Sequence, residues 1–389
     1  MDKKQAGKIW NEFLGKELKK IGFKQSKIDE CSFFKDNMLF FFYVDDGIFL
    51  ASSENLIKRT IQDLIDIGFD LEYQGHLDDY LGIDFEHLPD GKFKVTQPYL
   101  IDQIIQEVGI RPRTAKKNTP AATTKILRGN EEEKRYDGKP FHYRRVVGKL
   151  NFLKKSTRPD IAYAVHQCAH FSIDPDITHA QAIIHIARYL RDTRDKGILF
   201  DPNKEKSLEV FANADFAGLW NKDTTEEDIC TSKSRTGYFI IFSGCPVLWE
   251  SKLQSQCALS TTEAEYISLS QALRDTIPLI KLIKGLKANH ISTYSETPTV
   301  FFKAFEDNSG AIELARTPKL RPRTKYINLV YHHFREYVRR REIVIHPIST
   351  EEQVADIFTK PLAQNLFIKH RTTLLQWSVP NHSRDPSIN

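Results

Sequence analysis

The run FFFYVDDGIFLASS, residues 40–53, limits the fold more than any other stretch of the chain. Aromatic and β-branched residues on both sides of two adjacent acids read as two short strands, reversed at Asp45-Asp46-Gly47. D-D-G is turn chemistry, which by itself accounts for a hairpin with a solvated acidic tip. The same carboxylates, pinned side by side on a rigid hairpin, also supply the hard oxygen ligands that Mg2+ takes alongside substrate phosphates. Nothing local chooses between a solvated turn and a cation seat.

At 389 residues the chain is long enough for two or three domains with their own cores. A net charge of +5 permits a polyanionic partner without demanding one. Cys31, Cys168, Cys230, Cys245 and Cys257 are odd in number and scattered, with no C-x-x-C pair. That excludes a cysteine zinc cage or a disulfide framework and points to a reducing compartment. MDKKQAGKIW lacks the apolar core of a signal peptide, and no apolar run approaches the ~20 residues of a membrane span. The expectation is a soluble intracellular protein without a membrane partner.

Along the chain the period of the apolar residues changes several times. Gln5 to Ile21 and Asn55 to Ile67 carry helical spacing on either side of the hairpin. DYLGIDFEHL and KFKVTQ read as strands joined at Pro89-Asp90-Gly91, and a short helix follows from Tyr99 to Val108. Residues 111–140 are polar and charged, as in a surface linker. Tyr143 to Ala187 is helical in pattern. Beyond Gly197, LEVFANADFAG and TGYFIIFSGCPVLWES have strand composition with a turn at Ser243-Gly244. A helix from Ser260 and a strand at Val300 to Phe305 follow, and the end of the chain reads as a frayed tail. These shifts divide the chain at about residues 110, 140, 196 and 370, in an α/β fold class.

A second set of acids lies in the later segments. In CALSTTEAEYISLSQALRDT, Ser260-x-x-Glu263 fits a capping box, as does Thr262-x-x-Glu265. At about 100° per residue, Glu265 shares a helix face with Leu269, Ala272, Leu273 and Ile280. Glu263 points nearly opposite, as a solvated or capping acid. A carboxylate on the inner face is costly unless it is paired with a cation, so Glu265 either meets an arginine or holds a metal. Asp215 ends the strand LEVFANAD, Asp307 follows the strand TVFFKAFE, and Asp356 stands at a helix start in EEQVADIFTKPL. Each alone reads equally well as a helix or turn cap. Together, with no nucleophilic triad nearby, they suit two Mg2+ ions about 4 Å apart that clamp a phosphodiester for attack by water.

With these motifs in order, the sequence resembles the C-terminal part of the Pol polyprotein of copia-type LTR retrotransposons, from about Lys4 to Leu374. QAGKIWNEFL, IGFKQSKIDECSFF and YVDDGIFLAS resemble a reverse-transcriptase palm around its Y-x-D-D box. YLGIDF and TQPYLIDQII resemble the passage from palm to thumb, and YRRVVGKLNFLKKSTRPDIAYAV the thumb and connection. ADFAG, STTEAEY, EDNSGAI and ADIFTKPL resemble the acidic motifs of ribonuclease H. The resemblance implies a partial palm to residue 110, a linker over 111–140, a helical thumb-connection over 141–196, a ribonuclease H-like mixed sheet flanked by helices over 197–370, and a tail over 371–389. It implies that Asp45 and Asp46 are the paired polymerase acids. It implies that Asp215, Glu265, Asp307 and Asp356 bind Mg2+, with Mn2+ as an alternative, and that the RNA strand of an RNA–DNA hybrid is hydrolysed there.

Two departures from the family pattern accompany the match. A palm of this kind has a further aspartate on an earlier strand, with fingers before it, and this chain starts downstream of both; the polymerase is therefore expected to be incomplete, as a truncated or decayed copy. Tyr326 and Asn328 stand where the family usually shows histidine and aspartate. Lys319, Arg321, Arg323, Lys325 and Arg335, with Lys154 and Arg158 in the thumb-like part, are candidates for phosphate contacts to primer and template, or else solvated basic faces. The resemblance also implies a dimer or association with the rest of the polymerase, and a cytoplasmic, virus-like-particle or nuclear location. The competing expectation is an inactive remnant that only holds nucleic acid.

Overall fold

A computed structural model describes residues 5–122, 127–128, 134–203, 206–220, 229–291, 302–317, 327 and 329–377. Lys319, Arg321, Arg323, Lys325, Tyr326 and Asn328 lie outside the described residues. The chain divides into two compact units, Met1–Leu77 with Asp275–Glu296, and Asp78–Arg274 with Thr297–Asn389. Among the described residues no helix is long and apolar enough to cross a membrane.

The first unit opens with α1 (Ala6–Lys20), which buries Leu14 and Leu18. An antiparallel meander follows, β1 (Lys24–Gln25), β2 (Ser32–Lys35), β3 (Met38–Tyr43) and β4 (Asp46–Leu50), and then α2 (Glu54–Asp66). Met38, Phe40 and Phe42 alternate onto the buried face of β3 and pack with Leu14, Leu18, Phe33 and Leu64. Pairing of Tyr43 with Asp46 puts the reversal at Val44-Asp45, one residue earlier than the D-D-G expectation. The register is held by the core: Phe40 pairs with Phe49, and their rings stack at 4.3 Å. Gly47 is therefore a strand residue. Its lack of a side chain serves packing, since a Cβ there would lie 2.6 Å from the Phe40 ring. The turn instead sets Val44 at φ 57°, a left-handed conformation that a β-branched residue adopts at a cost.

The second unit contains two sheets. The smaller joins β5 (Asp79–Tyr80), β6 (Ile83–His87), β7 (Phe93–Thr96) and β8 (Ile198–Phe200). Between β7 and β8 the chain forms α3 (Pro98–Val108), α4 (Tyr143–Ser156), α5 (Ala162–His170) and α6 (Ile177–Asp192). Ile101, Ile104 and Val108 of α3 share one core with Val147, Leu150 and Ile183. That shared core, and the recruitment of Ile198–Phe200 into the sheet, attach residues 78–110 to the segments after them. The first unit consequently closes at Leu77, where the sequence-based division was drawn at residue 110.

The larger sheet has the order β11-β10-β9-β12-β13, built from β9 (Leu208–Asp215), β10 (Arg235–Phe242), β11 (Cys245–Leu253), β12 (Phe302–Glu306) and β13 (Ile343–Pro347). The hairpin β10–β11 and the pair β9–β10 are antiparallel, whereas β12 lies parallel to both β9 and β13. The long α7 (Thr261–Ala288) precedes β12, with the unit division falling within it after Arg274. α8 (Ser309–Arg316), α9 (Arg335–Arg339), a 3-10 turn at Val354–Phe358 and α10 (Gln364–Leu375) complete the unit. Every residue of β10 from Arg235 to Ile241 is buried, so both faces of that strand are covered. Phe239 and Ile241 pack with Val354, Ile357 and Phe358 on one of them. The architecture is a mixed α/β one.

Candidate functional site

The parallel pairing of β9 with β12, Phe211 beside Phe305, brings the ends of both strands to one edge of the sheet. Asp215 closes β9. Glu306 closes β12, and Asp307 follows it directly. Two further elements reach the same edge. From α7, Glu265 Oε2 accepts the Ala214 N–H at 2.6 Å, while the Ser268 hydroxyl donates to the Asn213 carbonyl at 2.7 Å. From the 3-10 turn, Asp356 Oδ1 accepts from the Asn213 amide at 2.7 Å and Oδ2 from Lys360 Nζ at 2.9 Å.

The two glutamates of α7 have different work. Glu263 N–H donates to Ser260 Oγ at 3.1 Å, half of a capping box, while its Oε2 reaches past the N-cap to accept the Leu259 N–H at 2.7 Å. Glu263 is buried in that cap instead of solvated. Glu265 is equally buried but faces other acids. Carboxylate oxygens of Glu265, Glu306 and Asp307 all lie within 4.8 Å of one another. Asp307 is steadied by the Thr350 hydroxyl, which donates to Oδ2 at 3.0 Å.

Asp215 sits beside Asp356 and opposite Arg235, its register partner on β10. A Cβ on Gly218 would overlap the Asp215 carboxylate, which explains the glycine of ADFAG. Arg235 is buried and tied to α5: its guanidinium donates to Gln167 Oε1 at 2.8 Å, meets His166 Nδ1 at 2.8 Å and stacks over the Tyr163 ring. Burial pushes His166 down to about 2, with Arg235 next in effect, so the imidazole stays neutral and accepts.

Loss of hydration dominates the electrostatics of the cluster. Burial first, then the negative charges of Glu306, Asp307 and Asp356, push Glu265 up to about 10, against the opposing Ala214 N–H. Burial, with Asp307 adding to it, raises Glu306 to about 8. Asp356 is raised by burial despite Lys360, and Asp215 by burial despite Lys360 and Arg235. A donor set of converging hard oxygens, short of positive charge, fits a divalent cation such as Mg2+ or Mn2+. Glu306 Oε2 is buried and has no hydrogen-bond partner, which agrees with that fit.

Glu306 is the residue that sequence reasoning overlooked. The signal was present: in FKAFE, alternation puts Phe302, Ala304 and Glu306 on one face, and all three are buried. Asp45 and Asp46, by contrast, stand exposed at the hairpin tip of the first unit.

Two of the basic candidates, Arg158 and Lys154, are withdrawn from the surface, and a third, Arg335, is partly engaged. Arg158 is wholly buried, donating to Asp160 at 2.9 and 2.8 Å and to Thr193, because a guanidinium inside a core requires a paired carboxylate. Lys154 is buried, and that burial lowers it to about 8. Half-buried Arg335 donates to the Leu314 carbonyl at the end of α8. Lys360 remains as a half-exposed cation at the rim of the acids.

The family described as reverse transcriptase (RNA-dependent DNA polymerase) matches residues 2–123. The Retrovirus-related Pol polyprotein from transposon RE1 of Arabidopsis thaliana is 31% identical over 94% of this chain and 24% of its own length. The Pol polyprotein from transposon TNT 1-94 of Nicotiana tabacum is 30% identical over 94% of this chain and 27% of its own length. The chain thus spans about a quarter of these relatives. Among solved structures, a foamy viral protease-reverse transcriptase in complex with RNA/DNA hybrid aligns with 92% of this chain and 39% of that one, at TM-score 0.46 and 12% identity, too loosely to carry an argument. Identity of about 30% sustained across nearly the whole chain, with the reverse-transcriptase match at its start, shows the protein to be similar to a stretch of retrotransposon Pol polyproteins that includes reverse-transcriptase sequence.

Proposed function

We propose that the second unit is a ribonuclease H that hydrolyses the RNA strand of RNA–DNA hybrids, with Asp215, Glu265, Asp307 and Asp356 as its cation-binding acids. The observation that carries this reading is the convergence of these carboxylates, from four separate elements, on one sheet edge with too little positive charge to balance them. A divalent cation bound there would lower the pKa of an attacking water and stabilise the leaving oxygen of the phosphodiester. The chain's own groups prearrange the ligands: Ala214 N–H orients Glu265, Thr350 orients Asp307, and Asn213 with Lys360 orients Asp356. Ligands held in place before substrate arrives need no reorganisation during the reaction. Lys360, at the rim, supplies a cation for the sugar–phosphate backbone. The test is cleavage of a labelled hybrid by purified protein in Mg2+. Glu265→Gln should lower cleavage about 100-fold or more, and Glu263→Gln, which keeps the cap acceptor, should stay within a few-fold. Equal loss or equal retention sinks the assignment. Hybrid binding without any Mg2+-dependent turnover would instead favour a remnant that only holds nucleic acid.

For the first unit we propose that Asp45 and Asp46 are the paired acids of the polymerase, held on the β3–β4 hairpin to bind a divalent cation against nucleotide phosphates. The reverse-transcriptase family match over residues 2–123 and the exposed hairpin support this reading. Activity of that site, the dimeric state and the virus-like-particle or nuclear location belong to the whole polyprotein and are proposals for this chain.

A further inference from the structure

We infer that Glu306 is a third protein ligand of the cation held by Glu265 and Asp307, outside the four acids of the proposed nuclease. The inference rests on that reading for the location of the cation and adds a ligand to it. The backbone dictates where Glu306 points. β12 is clamped in parallel between β9 and β13, and the Glu306 carbonyl accepts the Ile348 N–H at 3.1 Å, so its side chain shares the inner face of Phe302 and Ala304. The residue is wholly buried.

One carboxylate oxygen is accounted for. Oε1 accepts the Asn308 N–H at 3.0 Å, closing the turn that caps α8. Oε2 is buried without a partner. Its charged neighbours are Glu265 and Asp307, both acidic, while Lys360 and Arg235 act on Asp215 and Asp356. Although backbone N–H groups of Asp307 and Asn308 bond the carboxylate, a buried carboxylate with an unpartnered oxygen, clustered with two more acids, is costly for a core to hold ionised. Two oxygens sharing one hard cation, at bonds of about 2.0–2.6 Å, lie at most about 4–5 Å apart. The 4.8 Å limit within which the three carboxylates cluster meets that condition. A purely structural role would be served as well by glutamine, which retains the acceptor for Asn308.

Glu306→Gln decides between these roles. Mn2+ binding to the whole chain is measured by electron paramagnetic resonance titration, alongside thermal melting in EDTA and in Mn2+. The expected result is at least about tenfold weaker Mn2+ binding, with a melting temperature in EDTA equal to or above wild type. Wild-type Mn2+ affinity in the variant overturns the inference. If the glutamine variant does not fold, Glu306→Asp is read in the same way: it keeps the charge but draws it back by one methylene, so a ligand loses affinity and a structural residue does not. Hybrid cleavage is followed in parallel. Wild type that binds Mn2+ through Glu306 but never cleaves leaves this inference standing and sinks the nuclease. Wild type that cleaves, with Glu306→Gln binding Mn2+ equally well, does the reverse.

Discussion

The two acidic sites of this chain are built on opposite principles. Asp45 and Asp46 sit next to each other in sequence, one in the reversal and one opening β4, and both are exposed. Water already solvates them, so the hairpin folds with or without a cation. Asp215, Glu265, the neighbours Glu306 and Asp307, and Asp356 come from four stretches far apart in sequence, delivered by two strand ends, a helix and a 3-10 turn. Their burial removes that solvation, and the fold has to hold negative charge that nearby cations only partly balance. The lesson is that adjacency makes a ligand pair cheaply, whereas convergence makes a site whose empty state is under electrostatic stress. A cation relieves the second and barely changes the first.

The largest expected effect breaks the comparison most directly. Glu265→Gln should lower hybrid cleavage about 100-fold, while the double variant Asp45→Asn/Asp46→Asn should leave it within about twofold, as for independent sites. A matching loss in the hairpin variant would show that cleavage depends on both sites. Next in size is the coupling of cation to stability. Glu265 and Glu306 are raised to about 10 and about 8, above the ordinary carboxylate value, so the folded state keeps protons that the unfolded chain has released. Stability without cation therefore falls as pH rises from about 4.5, through about 8 for Glu306 and about 10 for Glu265. Mg2+ must displace those protons, and at a hundredfold excess over Kd it adds about 2.7 kcal/mol. The gain in melting temperature on adding Mg2+ should accordingly be larger at pH 8 than at pH 6; an equal gain at both would contradict the buried-acid account. The smallest effect lies in the hairpin. Val44→Gly relieves the φ of 57° at an exposed position, and should stabilise β3–β4 by about 0.5 kcal/mol after the extra entropy of glycine. Amide hydrogen exchange across β3 and β4 reads that change.

Periodicity made much of the fold legible. The helices at Ala6–Lys20, Glu54–Asp66 and Pro98–Val108, and the strands ending at Asp215 and Phe242, fall where spacing puts them. The same spacing turned Glu265 inward and Glu263 outward, and the structure adds that Glu263 is consumed by the helix cap. The hairpin reversal was displaced by one residue because D-D-G chemistry competed with the packing of Phe40 on Phe49, and packing won. Charge alone was the poorest guide: Arg158 and Lys154 look like phosphate contacts in sequence and are core residues in space.

By itself the sequence determined the strand and helix periods and the positions of its acids, because side-chain direction within an element depends only on local geometry. Tertiary structure alone decided which of those acids meet, that Glu306 joins them, and that two basic residues are withdrawn from solvent. Those outcomes depend on hydration lost and neighbours gained when distant segments pack, and neither quantity is a property of any single segment.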